Sequence, residues 1–171
     1  MDSTVTLRTH AVSTQAALLS ALLAVQAVLQ PLSAAVPFLR YFVALLFACT
    51  VPVLLVWLYR VRRNAEVPGR VHRWSPRWVV GGWFVPGLNL WAPYQAVADI
   101  AAAGAPESRR AEVTRQVLAW WLAWLAGLAA TAVGARWVGA VFSTFACVLL
   151  IAVVRKLTAM HPADERLIGR M

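Results

Sequence analysis

Residues 9–39 contain no Asp, Glu, Lys or Arg, and the stretches 41–59, 78–98, 116–135 and 137–154 are equally free of charge. Uncharged runs of this length match the roughly 20 residues that an α-helix needs to cross the hydrocarbon core of a bilayer. Hydrophobic residues make up 61% of the 171-residue chain, more apolar surface than a soluble domain of this length can bury. Lipid is therefore the solvent in which this sequence makes sense.

The pattern predicts an all-α, polytopic membrane protein with four transmembrane helices arranged as two hairpins. A first span fits from about residue 11 to 30, ended by Pro31 and a turn around Ser33 to Pro37. A second covers about 41–59 and closes on Trp57, Tyr59 and Arg60, an aromatic anchor followed by cations. A third and a fourth, about 116–133 and 138–154, are joined by the tight connection Gly134 to Trp137. The first apolar stretch lacks a basic leader and a convincing cleavage site, so it reads as a retained helix.

The stretch 78–98 is long enough to be a fifth span, and the distribution of cations decides against it. With four spans the cations divide 14 inside (Arg8, nine from Arg60 to Arg115, four from Arg155 onward) against 2 outside (Arg40 and Arg136). A fifth span would divide them 8 against 8 and erase the positive-inside bias. Gly81, Gly82, Pro86, Gly87 and Pro93 also break this stretch into pieces too short to cross. It is expected to lie at the interface or to re-enter from it, within a cytoplasmic connector spanning 60–115. Both termini are then cytoplasmic, and the compartment is the cell membrane.

The formal net charge of +9 would suggest nucleic acid as a partner in a soluble protein. Here the cations flank the apolar runs, where cytoplasmic interfaces put them, and nucleic acid is not expected. Fifteen of the 16 cations are Arg, which together with abundant Ala points to a GC-rich genome and an actinobacterial source. Cys49 and Cys147 each fall mid-run, where small core residues are expected rather than a disulfide.

Small residues recur every four positions in the third span (Ala123, Gly127, Thr131) and in the fourth (Gly139, Ser143, Cys147), so these two helices should approach closely. Gln15, Gln26 and Gln30 share one face of the first span and should point inward, either to bond between helices or to line a cavity.

The run from Arg73 to Gln95, RWSPRWVVGGWFVPGLNLWAPYQ, is too specific to be filler. Trp74, Trp78, Trp83, Trp91 and Tyr94 supply amphipathic rings suited to headgroup level. Asn89 is placed to cap a short helix beginning near Leu90, with Pro93 tolerated in its first turn. On that helix Trp91, Gln95 and Asp99 would share a face, while Tyr94, Val97 and Ala101 would point elsewhere. Asp99 is the one acid beside the aromatic cluster, and Arg60, Arg63 or Arg73 could pair with it.

Together with Trp57 to Arg60, Arg63-Asn64, Trp120 to Trp124 and Val154 to Thr158, this run closely resembles the actinobacterial membrane proteins grouped as the domain-of-unknown-function 4328 family. The resemblance covers about Val53 to Ala159. It implies a multi-spanning membrane domain and brings no established activity or catalytic residues. Ala92 departs from the family, where a cation or bulky residue is common between the Trp and the Pro, and the loop between the first two spans is unusually short.

Three functional readings follow. The first is a non-enzymatic module whose connector binds anionic lipid headgroups or a membrane protein partner, a second copy included. Its candidate residues are Arg60, Arg63, Asn64, Arg73, Trp83, Asn89, Trp91, Tyr94, Gln95 and Asp99. The second is an enzyme acting on a lipid or isoprenoid at the interface, with Asp99 as acid or base and Trp83, Trp91 and Tyr94 as an aromatic wall. The third is a small oligomeric transporter or channel. No metal-ligand spacing, phosphate loop or nucleophile motif occurs, and no cofactor or metal is expected.

Overall fold

A computed structural model describes residues 3–64 and 75–160 of the chain. The described residues form six α-helices and one short 3-10 turn: α1 (Ser3–Ala35), α2 (Leu39–Asn64), α3 (Pro76–Gly81), the turn Leu88–Leu90, α4 (Ala92–Gly104), α5 (Glu107–Ala132) and α6 (Arg136–Met160). α1 and α2 form one hairpin and α5 and α6 the other, with the connector between them.

Each long helix outruns its predicted span. α2 and α6 carry their basic exits on as further helical turns, and α5 begins at Glu107, more than two turns before its uncharged segment. Charge does not oppose helix formation; it only sets where the helix leaves the apolar phase. α1 also continues through Pro31 to Ala35, so the proline does not end it as expected. The reason is a partner: Thr144 Oγ1 on α6 donates to the carbonyl of Ala27, the acceptor that residue 31 would have used had it carried an N–H.

Three helices are long and apolar enough to cross a membrane: Val12–Ala35, Leu39–Arg63 and Arg136–Met160. The expected third span, within α5, does not reach that standard. Its uncharged portion is interrupted by Trp120, Trp121 and Trp124 and preceded by two turns bearing Glu107, Arg109, Arg110, Glu112 and Arg115.

α1 packs on both α2 and α6, and α6 packs most extensively on α5, giving the lateral order α2, α1, α6, α5. The α5–α6 seam is the close approach that the small residues predict. A Cβ on Gly127 would meet Ser143 Oγ at 2.7 Å, and one on Gly139 would overlap the Thr131 hydroxyl. The tight turn between them is made by Gly134 at φ +83°, with Ala135 N–H closing onto the Ala130 carbonyl.

The connector packs at one end of this arrangement, α3 against α2 and α4 against α5. The core concentrates there: Trp57, Leu58, Val61, Val79, Ile100, Val113, Val117, Val154 and Leu157 are all fully buried. Toward the opposite end, where the two hairpins turn, α2 and α5 stand apart across α1 and α6 and leave a cleft.

The outer surface is apolar. Leu18, Val25 and Val28 on α1, Phe42 and Leu45 on α2, Leu122 on α5, and Val141 and Phe145 on α6 are all exposed. A soluble monomer does not present a continuous belt of this extent. Cys49 belongs to this exterior rather than to the core, whereas Cys147 is buried; both are free thiols.

Candidate functional site

The connector has two faces. Inward, Val79, Ala92, Pro93, Ala96, Val97 and Ile100 are buried, with Trp83 and Tyr94 packed against the same core. Outward, Trp78, Leu90 and Trp91 are exposed, and Phe84 is 70% exposed. The aromatic rings expected at headgroup level thus divide: Trp78 and Trp91 face out, Trp83 and Tyr94 face in. Trp74 lies outside the described residues.

Trp57, expected as an interfacial anchor, is instead 1% exposed and donates through Nε1 to Thr158 Oγ1 at 3.2 Å, joining the end of α2 to the end of α6. Tyr59, two residues on, keeps the exposed position. Trp121 provides a second tie. Its Nε1 donates to the Leu90 carbonyl at 2.8 Å, while its ring stacks on Trp124 at 4.9 Å and meets Trp120 and Trp83 edge-on. The Trp120–Trp124 run therefore serves to hold the connector onto α5. Trp120, Trp121 and Trp124 are marked in the sequence only by the family resemblance, because nothing local says that position 90 is the partner of Trp121.

Asn89 is not the cap of α4. It lies in the 3-10 turn with its side chain exposed, and α4 starts at Ala92 after Trp91, with no side-chain cap and with Pro93 in its first turn. The cause is Gly87 at φ +82°, which turns the chain so that residues 88–90 complete a tighter turn before the helix begins. Gln95 and Asp99 are half-buried on α4, and Val97 and Ala101 point to the core. Arg60 and Arg63 are exposed at the end of α2, while Arg62 between them is 5% exposed. Arg73 and the side chain of Asn64 lie outside the described residues.

At this same end Lys156 Nζ on α6 lies 3.1 Å from Glu112 Oε1 on α5, and this ammonium holds the Glu112 carboxyl below its ordinary value. The basic ends of α2 and α6, the start of α5 and the connector thus share one level of the molecule.

The cleft between α2 and α5 is the second feature, a cavity of about 690 Å³ floored by α1 and α6. Of the described residues singled out in the connector, Trp83 alone lines it; Asn89, Trp91, Tyr94, Gln95 and Asp99 do not. Its inner end is made by Trp83, Trp120, Trp121 and Trp124, and its outer end by Ser33, Pro37, Arg40, Thr131, Gly134 and Arg136. Of the glutamine face of α1, Gln26 and Gln30 lie on its wall, whereas Gln15 is half-buried and does not line it. Gln26, 2% exposed, donates to Thr50 Oγ1 on α2 at 2.7 Å, and Gln30 is half-buried at the cleft. Among the described residues no acidic side chain lines the cavity. Among the described residues no three His, Cys, Asp or Glu side chains gather as a metal-binding group.

The family model "Domain of unknown function (DUF4328)" matches residues 27–160. The chain belongs to this family. The match takes in the end of α1, all of α2, the connector and the α5–α6 hairpin, so the connector's tie to α5 through Trp121 and the α5–α6 seam lie within the family domain. No curated protein and no solved structure matches the chain.

Proposed function

We propose that this DUF4328 protein is a non-enzymatic module of the cell membrane that binds anionic lipid headgroups at the cytoplasmic face through its connector. The observation that carries the reading is the outward set Trp78, Phe84, Leu90 and Trp91, exposed beside the basic ends of α2 and α6. Aromatic rings favour the headgroup level, and exposed arginines such as Arg60 and Arg63 contribute about 1 kcal/mol each near an anionic surface. In this reading α5 is the fourth crossing. Support comes from its close packing along α6 and from Leu118 and Leu122, which extend the apolar belt. From Gln116 to Ala132 it would cover about 25 Å, short of the ~30 Å hydrocarbon core, a mismatch that local thinning accommodates. The excess of arginines at the connector end makes that end cytoplasmic.

The test is lipid selection in mixed phosphatidylglycerol–phosphatidylcholine nanodiscs, measured by mass spectrometry of the annular lipid. Arg60→Gln with Arg63→Gln is expected to reduce the enrichment of phosphatidylglycerol, and Trp78→Ala with Trp91→Ala to weaken retention of either lipid. Arg62 is left in place because it is buried. Enrichment unchanged in both variants would remove the lipid reading and leave the exposed face to a protein partner.

A further inference from the structure

We propose that the cleft between α2 and α5 is a binding site for a single anionic phospholipid, with its phosphate between Arg40 and Arg136 and its hydrocarbon inside the cavity. The headgroup end of this site lies opposite the connector, which contributes only Trp83 to the inner end, and the site does not depend on the connector's exposed face.

Charge is the first argument. Arg40 and Arg136 both line the outer end of the cavity, and both are exposed there. The sequence contains no Asp or Glu between Asp2 and Glu66 or between Glu112 and Asp164, so every helical segment that lines the cleft lacks a carboxylate. Two guanidinium groups at one mouth without a compensating acid among the described residues form a site for an anion, and phosphate suits their planar donor geometry. The Arg40 guanidinium lies 5.1 Å from the Tyr41 ring centroid and donates to its hydroxyl at 3.3 Å, contacts that leave most of its donors free.

Polarity along the cleft is the second. Below the arginines comes Gln30, whose amide can donate to the ester region of a lipid, beside the Ser33 and Thr131 hydroxyls, which donate to carbonyls of their own helices; deeper in, Gln26 and Thr50 satisfy each other and the other walls include Phe47, Leu54 and Leu150. The inner end is closed by the tryptophan cluster that holds Trp83. A gradient from cation through small polar group to hydrocarbon is the chemical profile of an amphiphile lying head outward.

Depth is the third. From Trp120 to Thr131 along α5 the cleft runs about 16 Å, close to the ~15 Å of hydrocarbon in one leaflet. A volume of about 690 Å³ sits within the usual range for small-molecule sites, and an apolar wall with few placed polar groups is their usual composition. The occupant therefore enters sideways from the leaflet away from the connector, between α2 and α5.

The experiment uses the full chain in nanodiscs of phosphatidylcholine doped with phosphatidylglycerol that carries a photoreactive acyl chain. Bound lipid is counted by native mass spectrometry and cross-links are mapped by peptide. The wild type is expected to keep one phosphatidylglycerol per chain, cross-linked to peptides containing residues 43–54 or 120–131. Arg40→Gln with Arg136→Gln is expected to lower that occupancy about tenfold, the scale of a lost charge-assisted contact. Arg40→Lys with Arg136→Lys, which keeps both charges but not the planar fork, is expected to retain more lipid than the Gln pair, and Arg60→Gln with Arg63→Gln, which weakens the connector's own lipid contacts, still gives the cross-links at residues 43–54 or 120–131. Equal retention of phosphatidylcholine, cross-links confined to the connector, or full occupancy in the Gln pair would each overturn the proposal. Loss in the Arg60/Arg63 pair alone would count for the connector and against the cleft.

Discussion

Thr144 Oγ1 on α6 lies 3.1 Å from the carbonyl oxygen of Ala27 on α1, the acceptor left open because Pro31 has no N–H to give it. An unsatisfied carbonyl in an apolar surrounding is costly, and one hydroxyl from a neighbouring helix removes that cost. Thr144→Val should therefore destabilise the protein by about 1 to 2 kcal/mol. In a Pro31→Ala background the residue 31 N–H can return to Ala27, and the same substitution should cost much less. Reversible unfolding in mixed micelles, run as a double-mutant cycle, measures the difference. Strict additivity of the two changes would show that the hydroxyl is not replacing the proline's missing donor.

The same pair shows what could and could not be read from the sequence. Uncharged runs located all four long helices, and the four-residue spacing of Gly127 with Thr131 and of Gly139 with Ser143 foretold their close packing. These are local signals. Pro31 misled because its rescue comes from a residue more than a hundred positions away, and Trp57 misled for the same reason, its partner Thr158 lying 101 residues on. Asn89 failed as a cap because the turn at Gly87 delays α4, a backbone detail that residue type alone does not carry. The cleft was invisible for a deeper reason. It exists because α1 and α6 lie between α2 and α5 while the connector fills only one end, which is a property of lateral helix order and not of any motif.

Gly139 sets the distance between α5 and α6. A Cβ there would run into the Thr131 hydroxyl and approach the Gly127 carbonyl at 3.2 Å, backbone that cannot step aside. Gly139→Val should cost about 1 to 3 kcal/mol through forced separation of the two helices. Leu122→Ala on the exposed face of α5 should cost far less in the same denaturation assay. Comparable losses for the two would mean that the seam is not where α5 is held.

Trp121 fixes the connector to α5 through its indole N–H. Trp121→Phe keeps most of the ring packing but deletes the 2.8 Å bond to the Leu90 carbonyl, at a net cost of about 0.5 to 1.5 kcal/mol. The effect should be local. Hydrogen exchange at the Asn89, Leu90 and Trp91 amides, each bonded within the turn, should accelerate while the α1–α2 interface stays protected. Uniform acceleration across all helices would assign the tryptophan to global stability instead.

Glu112 and Lys156 give the bundle a pH-dependent clasp at the connector end. The Lys156 hydrogen bond, and then its charge, lower the folded value of Glu112 below the ordinary 4.5, so the folded state binds this proton less readily than the unfolded chain does. The pair's contribution is therefore complete above pH 4.5 and is lost as pH falls through the lowered folded value. Exposure of the carboxylate keeps the effect small and makes it fade with added salt. Thermal unfolding of wild type and Glu112→Gln at low ionic strength should give curves that differ at pH 6 and converge toward pH 3. A gap that persists at pH 3, or one that widens as the solution is acidified, would contradict the ion-pair origin.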